Sequence, residues 1–320
     1  MTPEFALINR HFNRPTTDPA VVLGIGDDCA LLHTGNGVEL AISTDTLGVG
    51  THFFADADPE KLAYKALAVN LSDLAAMGAT PRFVMLALTL PSVDDIWLEA
   101  FSRGFFKLAE QYEVSLIGGN TTRGPLSVSL TIFGEIETGR ALRRDAAKAG
   151  DDIWVSGSLG AAALALLHWQ KEIVLPPAVF RSAEVRRVTP TARVELGRAL
   201  LGVAHAAIDL SDGLLADLGH IATRSNLRAV ICRDEVPMAA ELMSLRADRR
   251  DACALAGGDD YELCFTAPES ACQQIINIGK EVGVAVTRIG KMVTGENDIC
   301  VVDASGNDIT PDLRGFDHFL

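Results

Sequence analysis

Basic charge is what this chain has too little of. Its 28 Lys and Arg stand against 42 Asp and Glu, a net charge of −14 over 320 residues. Nucleic-acid binding needs a basic footprint, so that class is excluded. A nucleotide is not excluded, because a bound cation and a few arginines can reverse the sign locally. The six cysteines (Cys29, Cys232, Cys253, Cys264, Cys272 and Cys300) form no C-x-x-C pair. The N-terminal MTPEFALINRH lacks the charged-then-apolar layout of a signal peptide. A reduced, cytoplasmic protein is expected, with the cysteines as buried small hydrophobes. The longest apolar stretch, around Leu159 to Leu167, falls far short of the ~20 residues that span a bilayer, so no membrane role is expected.

Common catalytic signatures are missing too. Neither Gly279-Lys280 nor Gly290-Lys291 is followed by Ser or Thr, so there is no P-loop. Gly24-Ile25-Gly26 runs into Asp27, Asp28 and Cys29, which is not G-x-G-x-x-G. The H-R-D and D-F-G kinase signatures, a G-x-S-x-G elbow and zinc-ligand spacing are all absent. A phosphotransferase built on this chain belongs to none of the commonest kinase folds.

What is present is a globular composition, 48 % hydrophobic, at a length suited to about two domains. The first part reads as alternating strands and helices. Val38 to Ser43 is a strand ending in Ser43, Thr44 and Asp45. Asp58 and Pro59 open a helix that runs to Met77 and stops at Gly78. Phe83 to Leu90, Val114 to Ile117 and Leu126 to Phe133 are further strands, with a helix from about Asp95 to Tyr112. The segment from Gly118 to Pro125 reads as a glycine-rich loop. The pattern predicts an α+β domain with helices on one side of a sheet. A second series starts at DDIWVSG, with helices near Leu159 to Trp169, Thr191 to Leu201, Leu214 to Thr223 and Glu269 to Val282. Its strands fall near Ala207, Ala229, Leu263 and Val286. The boundary is placed near residue 138, giving units of 1–137 and 138–320.

Aspartates carry the chemistry. They stand at Asp27 and Asp28 in GIGDDCA, Asp45 in AISTDT, Asp73 in NLSDLAAMG, Asp209 and Asp212 in IDLSDG, and Asp259 and Asp260 in GGDDYEL. Two carboxylates 4 Å apart repel by roughly 4 kcal/mol at an effective dielectric of 20. If the fold gathers several, a cation must bind among them, and Mg²⁺ is the hard, oxygen-seeking candidate that bridges protein to nucleotide phosphates. On the first helix Leu62, Ala66 and Val69 share an apolar face with Asp73, by the i, i+4, i+7, i+11 spacing. An inward carboxylate there needs a metal or an ordinary partner, such as a turn amide or an arginine. Ser211 or Asp212 reads as the N-cap of the next helix, or as part of a turn offering free amides to phosphate. Asp28 and Asp45 taken singly are ordinary turn aspartates. His52 is the one histidine near these segments, and alone reads as a surface or core residue.

In this order GIGDDCALL, LAISTDTLG, LAYKALAVNLSDLAAMGATP, LIGGNTTRGP, AIDLSDGLLADLGHI and GGDDYELCF closely resemble the thiamine-monophosphate kinase family, from about Phe5 to the GFDHF at 315–319. The resemblance implies the two-domain fold shared with aminoimidazole ribonucleotide synthetase and selenophosphate synthetase, with dimerisation through N-terminal domains. It implies ATP and several Mg²⁺ ions in a cleft between the domains, and transfer of phosphate from ATP to thiamine monophosphate. By the same resemblance Asp28, Ser43, Thr44, Asp45, Asp73, Asn120, Asp209 and Asp212 look like the metal shell. Gly119, Asn120, Arg144 and Ser211 match positions that hold ATP, and His52, Asp259 and Phe316 match positions at the thiamine phosphate. Arg144 suits phosphate as a permanent cation, and Phe316 suits packing on an aromatic ring. Departures are Asn120 where the family usually has Asp, Asp259 where it often has Glu, and Phe316 where it often has Tyr. Rival readings are an ATP-dependent synthetase of the same fold and a nucleotide sensor without turnover.

Overall fold

Alternating apolar positions in the first half of the chain pair into one six-stranded sheet. Its strands are β1 (Val21–Leu23), β2 (Ala30–His33), β3 (Val38–Gly48), β4 (Thr80–Leu90), β5 (Ser115–Arg123) and β6 (Ser127–Glu137), in the order β1-β2-β3-β6-β4-β5. Every pairing is antiparallel except that of β4 with β5. The computed structural model describes residues 18–313, 315 and 316. A second sheet holds β7 (Asp152–Ser156), β8 (Ala206–Asp209), β9 (Arg228–Cys232), β10 (Leu263–Ala267), β11 (Val286–Val293) and β12 (Ile299–Val302), in the order β12-β9-β11-β7-β10-β8. Only β12 with β9 is parallel there. Mixed, mainly antiparallel sheets with helices make the fold α+β rather than doubly wound.

Helix α1 (Pro59–Met77) is the hinge of the architecture. Pro59 occupies its first turn, and the Asp58 side chain accepts the Glu60 amide at 2.9 Å. Gly78 closes it in the left-handed conformation, φ 74°, and its amide bonds back to the last turn. The helix is buried nearly all round, not along one stripe: Leu62, Ala66 and Val69 are covered, and so are Ala63, Leu67, Ala68, Leu71 and Leu74 through Met77. The reason is that α1 packs on the first sheet from one side and on elements after residue 190 from the other. A single core therefore runs from Leu130 and Ile132 through Leu67 and Leu74 to Trp154, Leu263 and Phe265 of the second sheet. The opposite face of that sheet packs Ile153, Val155, Ile208 and Ile231 against a separate core. Its middle strands β7 and β10 are accordingly buried at every residue.

Two glycines let neighbours approach α1. A Cβ on Gly104, in α2 (Asp95–Gln111), would lie 2.0 Å from the Glu60 carbonyl oxygen. A Cβ on Gly197, in the short α5 (Val194–Ala199), would lie 1.9 Å from the Ala75 carbonyl oxygen.

Several sequence expectations change. β3 runs on to Gly48, so Ser43, Thr44 and Asp45 lie inside a strand, not at its end. The glycine-rich segment is not a loop: Gly118 to Arg123 continues β5 in register with Met85 to Leu90. A Cβ at Gly119 would sit 1.8 Å from the Leu86 carbonyl oxygen, so glycine serves close strand approach there. The expected helix near Leu159 to Trp169 is α3 (Ala161–Trp169), and the one over Thr191 to Leu201 shortens to α5. Helices α4 (Pro177–Val188) and α7 (Ala247–Ala256) and strand β12 had no signal, being short or weakly periodic. Cys29, Cys253 and Cys264 are buried, but Cys232, Cys272 and Cys300 are only half-buried, and all six are free thiols.

Gly104→Ala and Gly197→Ala are expected to cost about 1–3 kcal/mol each by forcing the helices apart. Urea denaturation checks this, with unchanged midpoints as the contrary result.

Candidate functional site

Three carboxylates from three separate elements converge where α1 meets the second sheet. Asp28 sits in the turn between β1 and β2, Asp73 on the C-terminal half of α1, and Asp209 at the end of β8. One oxygen from each lies within 4.8 Å of the other two. Asp28 and Asp209 are 7 % and 4 % exposed, and Asp73 is half-buried. The turn that presents Asp28 requires Gly26 at φ 120°, where a Cβ would strike the Arg224 guanidinium at 2.8 Å. Ser43, on the α1-facing side of β3, donates its hydroxyl to Asp73 at 2.5 Å. Asp45 is on that same side two residues on, and its charge acts on Asp73.

Arg144 is the counter-charge. It lies in the connection between β6 and β7 and forks onto Asp28, Nε to Oδ2 at 3.1 Å and Nη2 to Oδ1 at 2.6 Å. Its backbone amide donates to Asp27 at 3.0 Å, and its carbonyl accepts from Ser225. One guanidinium does not neutralise the group. Desolvation, then the charges of Asp45, Asp209 and Asp28, raise Asp73 well above the usual carboxylate range. Desolvation and Asp28 do the same for Asp209. Asp27 is pushed up to about 7 by desolvation and Asp28, against the pull of Arg144. His220, on α6 (Leu214–Ser225), is lowered to about 4 by desolvation and by Arg144. Asp28, Asp73 and Asp209 offer carboxylate oxygens gathered within 4.8 Å of one another, so the residues fit a hard divalent cation such as Mg²⁺.

The SDG turn is built differently from either sequence reading. Neither Ser211 nor Asp212 caps α6. The Asp217 carboxylate instead accepts the Asp212 and Gly213 amides, both at 3.1 Å. Those amides are engaged within the protein rather than offered to phosphate. Asp212 stands three residues beyond Asp209, outside the trio, and its charge acts on Asp217. The Phe316 amide donates to the Asp212 carbonyl at 3.1 Å, which ties this half-exposed residue to the turn. Residues 317–319 of the GFDHF motif lie outside the described residues.

Thr44, Gly119 and Asn120 are not brought to the trio. Thr44 points to the opposite face of the sheet, where its hydroxyl pairs with Thr131 at 2.9 Å. Asn120 is on that far face as well, in the row Thr46, Ser129, Ala87, Asn120. Gly119 ends the row that starts at Asp45, three strand spacings or about 14 Å along the sheet. Ser211 is half-buried, and its carbonyl accepts the Asp259 amide at 2.8 Å. His52 sits where β3 ends, and its Nδ1 accepts the Gly48 amide at 3.0 Å. Asp259 binds Lys65 Nζ at 2.7 Å and the Tyr261 hydroxyl at 3.2 Å. Lys65, Tyr261, Asp217 and His220 were not singled out from the sequence. For Lys65 one signal existed, a lysine inside the otherwise apolar LAYKALAV.

A raised carboxylate holds its proton more tightly in the folded chain than in the unfolded one. Its contribution to stability is full below about pH 4 and is lost as pH climbs through the folded value. For Asp27 that window closes at about 7. Without divalent cation, Asp73→Asn is therefore expected to melt no lower than the parent, with an advantage that grows as pH rises above about 4, at about 2–4 °C per kcal/mol relieved. Melting curves in chelator check this. A variant less stable at neutral pH marks Asp73 as structural.

Sequence profiles of the AIR synthase related proteins match this chain twice, the N-terminal domain over residues 26–136 and the C-terminal domain over 148–303. The thiamine-monophosphate kinase of Escherichia coli (strain K12) is 47 % identical, over 99 % of this chain and 98 % of its own. The crystal structure of thiamine-monophosphate kinase from Stenotrophomonas maltophilia K279a superposes with a TM-score of 0.80 at 48 % identity, over 94 % of this chain and 96 % of that one. AaThiL complexed with AMPPCP and TMP gives 0.82 at 30 % identity, over 99 % and 96 %. With that similarity running nearly end to end, the chain belongs to the thiamine-monophosphate kinase family of AIR synthase related proteins.

Proposed function

We propose that this protein transfers the γ-phosphate of ATP to thiamine monophosphate, giving thiamine diphosphate and ADP. The observation that carries the reading is the trio Asp28, Asp73 and Asp209, joined across two sheets and only partly offset by one guanidinium. Support comes from the family and from a relative that binds an ATP analogue together with TMP. A phosphate oxygen of thiamine monophosphate attacks the γ-phosphorus in line. The new P–O bond forms as the bond to the bridging oxygen breaks, and ADP departs. The attacking oxygen is already ionised near neutral pH, so no general base is required and no side chain is phosphorylated.

Asp28, Asp73 and Asp209 would hold Mg²⁺, with Asp45, Asp212 and the Ser43 hydroxyl around them. Bound there, the cation supplies charge neutralisation between two anionic substrates. Arg144 spends two of its five N–H groups on Asp28, leaving three for phosphate oxygens. Asp27, Asp28 and Arg144 hold the β1–β2 turn against the connection between the sheets. His52, Asp259 and Phe316 are proposed at thiamine monophosphate, and Gly119, Asn120 and Ser211 at ATP. The two units are taken to divide near residue 138.

A homodimer is part of the proposal. β5 is an edge strand exposed along its whole length, and Phe83 and Met85 stand exposed on the face of the first sheet away from α1. A second copy covering that face would bring its own chain near Thr44 and Asn120. A cytoplasmic location is proposed with it, consistent with six free thiols and no helix among the described residues long and apolar enough to cross a membrane.

Purified protein with ATP, Mg²⁺ and thiamine monophosphate is expected to form thiamine diphosphate without a phosphoenzyme. Asp73→Asn and Asp209→Asn should each lower kcat by about 10³-fold or more, while Asn120→Asp should keep or raise it. ATP binding without turnover in both the parent and Asn120→Asp would instead favour a nucleotide sensor. Light scattering is expected to give a mass twice that of one chain, and replacing both Phe83 and Met85 by Glu should shift it toward the monomer. A monomeric parent refutes the dimer.

A further inference from the structure

Lys65 lies at the middle of α1 and is only 4 % exposed. Its ammonium reaches across 194 residues of sequence to Asp259 Oδ2, at 2.7 Å. The other oxygen of Asp259 accepts the Tyr261 hydroxyl at 3.2 Å. Burial and the nearby Asp259 hold that phenol well above its ordinary pKa, so it stays a donor. The segment is backbone-constrained as well. Asp259 and Tyr261 take left-handed φ of 69° and 49°, and their amides bond the Ser211 and Leu210 carbonyls, both at 2.8 Å. Asp259 is therefore stitched to the stretch between Asp209 and Asp212, with 32 % of its side chain open to solvent.

A carboxylate offers about four lone-pair sites, and two donors occupy only half of them. A buried ammonium and a buried phenol grip Asp259 from the protein side, so its unused lone pairs are turned outward in a fixed direction. Such an acceptor suits an N–H donor on a ligand. Lys65 and Asp73 stand eight residues apart along α1, about 12 Å at the helical rise. One helix thus anchors a phosphate-and-cation end and an N–H-accepting end.

We infer that Lys65 is a positioning residue for substrate recognition: with Tyr261 it orients the Asp259 carboxylate to accept the exocyclic amine of the aminopyrimidine ring. The phosphate of the same substrate lies toward Asp73. The inference rests on the thiamine monophosphate reading given above.

Steady-state kinetics and calorimetric titration of thiamine monophosphate test it, using Lys65→Met, Tyr261→Phe, Asp259→Asn and the Lys65→Met/Asp259→Asn pair. Lys65→Met is expected to raise KM and Kd for thiamine monophosphate by ~10-fold or more, with kcat within about threefold. Its affinity for AMPPCP with Mg²⁺ should stay within about twofold of the parent. Because Lys65 acts through Asp259, the double variant should bind thiamine monophosphate no worse than Asp259→Asn alone. Tyr261→Phe should weaken binding by about two- to fivefold, and it carries the test if Lys65→Met does not melt cooperatively. Unchanged thiamine monophosphate affinity in Lys65→Met, an equal loss of AMPPCP affinity, or additive losses in the double variant would each overturn the inference. So would an unaffected Tyr261→Phe where Lys65→Met fails to fold. Because binding is read without turnover, a parent that binds thiamine monophosphate but does not phosphorylate it refutes the kinase reading and leaves the Lys65 test intact. A parent that does not bind it at all overturns both.

Discussion

Repulsion among carboxylates is the constraint around which the molecule is arranged. Asp28, Asp73 and Asp209 come from a turn, a helix and a strand end, and nothing local holds them together. The fold does so by packing. α1 is gripped between the first sheet and the elements after residue 190, with backbone contacts close enough to demand glycine. Arg144 then ties the Asp28 turn to the connection between the sheets. Hydrophobic burial of α1 thus supplies what electrostatics opposes. A site built this way is preorganised for a cation, because the cost of gathering the charges is met during folding and not when the ligand arrives.

Much of the first helix was legible from the sequence because its signals are local. Asp58-Pro59 and Gly78 mark its ends by backbone chemistry alone, and Asp73 stands out against Leu62, Ala66 and Val69. The elements that differ from the sequence reading turn on strand pairing and on partners distant in sequence. GGNTTRG reads as a loop because glycine is the usual turn residue, yet Gly119 is there so that β5 can lie against Leu86. Thr44 was grouped with Ser43 and Asp45, but inside a strand neighbouring side chains alternate faces. Asp217 and Lys65 gave little warning, since a carboxylate reaching back over a turn and an ion pair spanning 194 residues leave no periodic trace.

The family resemblance and the geometry inform different parts of the site. The resemblance implies fourteen ligand positions in three sets, without saying how the sets lie in space. In the folded chain the inward residues of β3, the α1 carboxylate and the β8 terminus form one group, while Thr44, Thr46 and Asn120 lie on the other face. That separation has a plain physical origin in the pleat of β3, which sends Ser43 and Asp45 one way and Thr44 the other. Any account of how both faces serve one reaction must bring in matter from outside a single chain, whether a nucleotide, a cation or a neighbouring subunit.

The all-round burial of α1 also bears on how the gene can be cut. A fragment ending near residue 138 would keep the first sheet but strip the cover from Ala75, Leu71 and their neighbours, leaving an oily ridge in water. Such a piece should be sticky and poorly soluble when made alone. Evolution can shuffle the second half of this polypeptide only together with a replacement lid for that one helix.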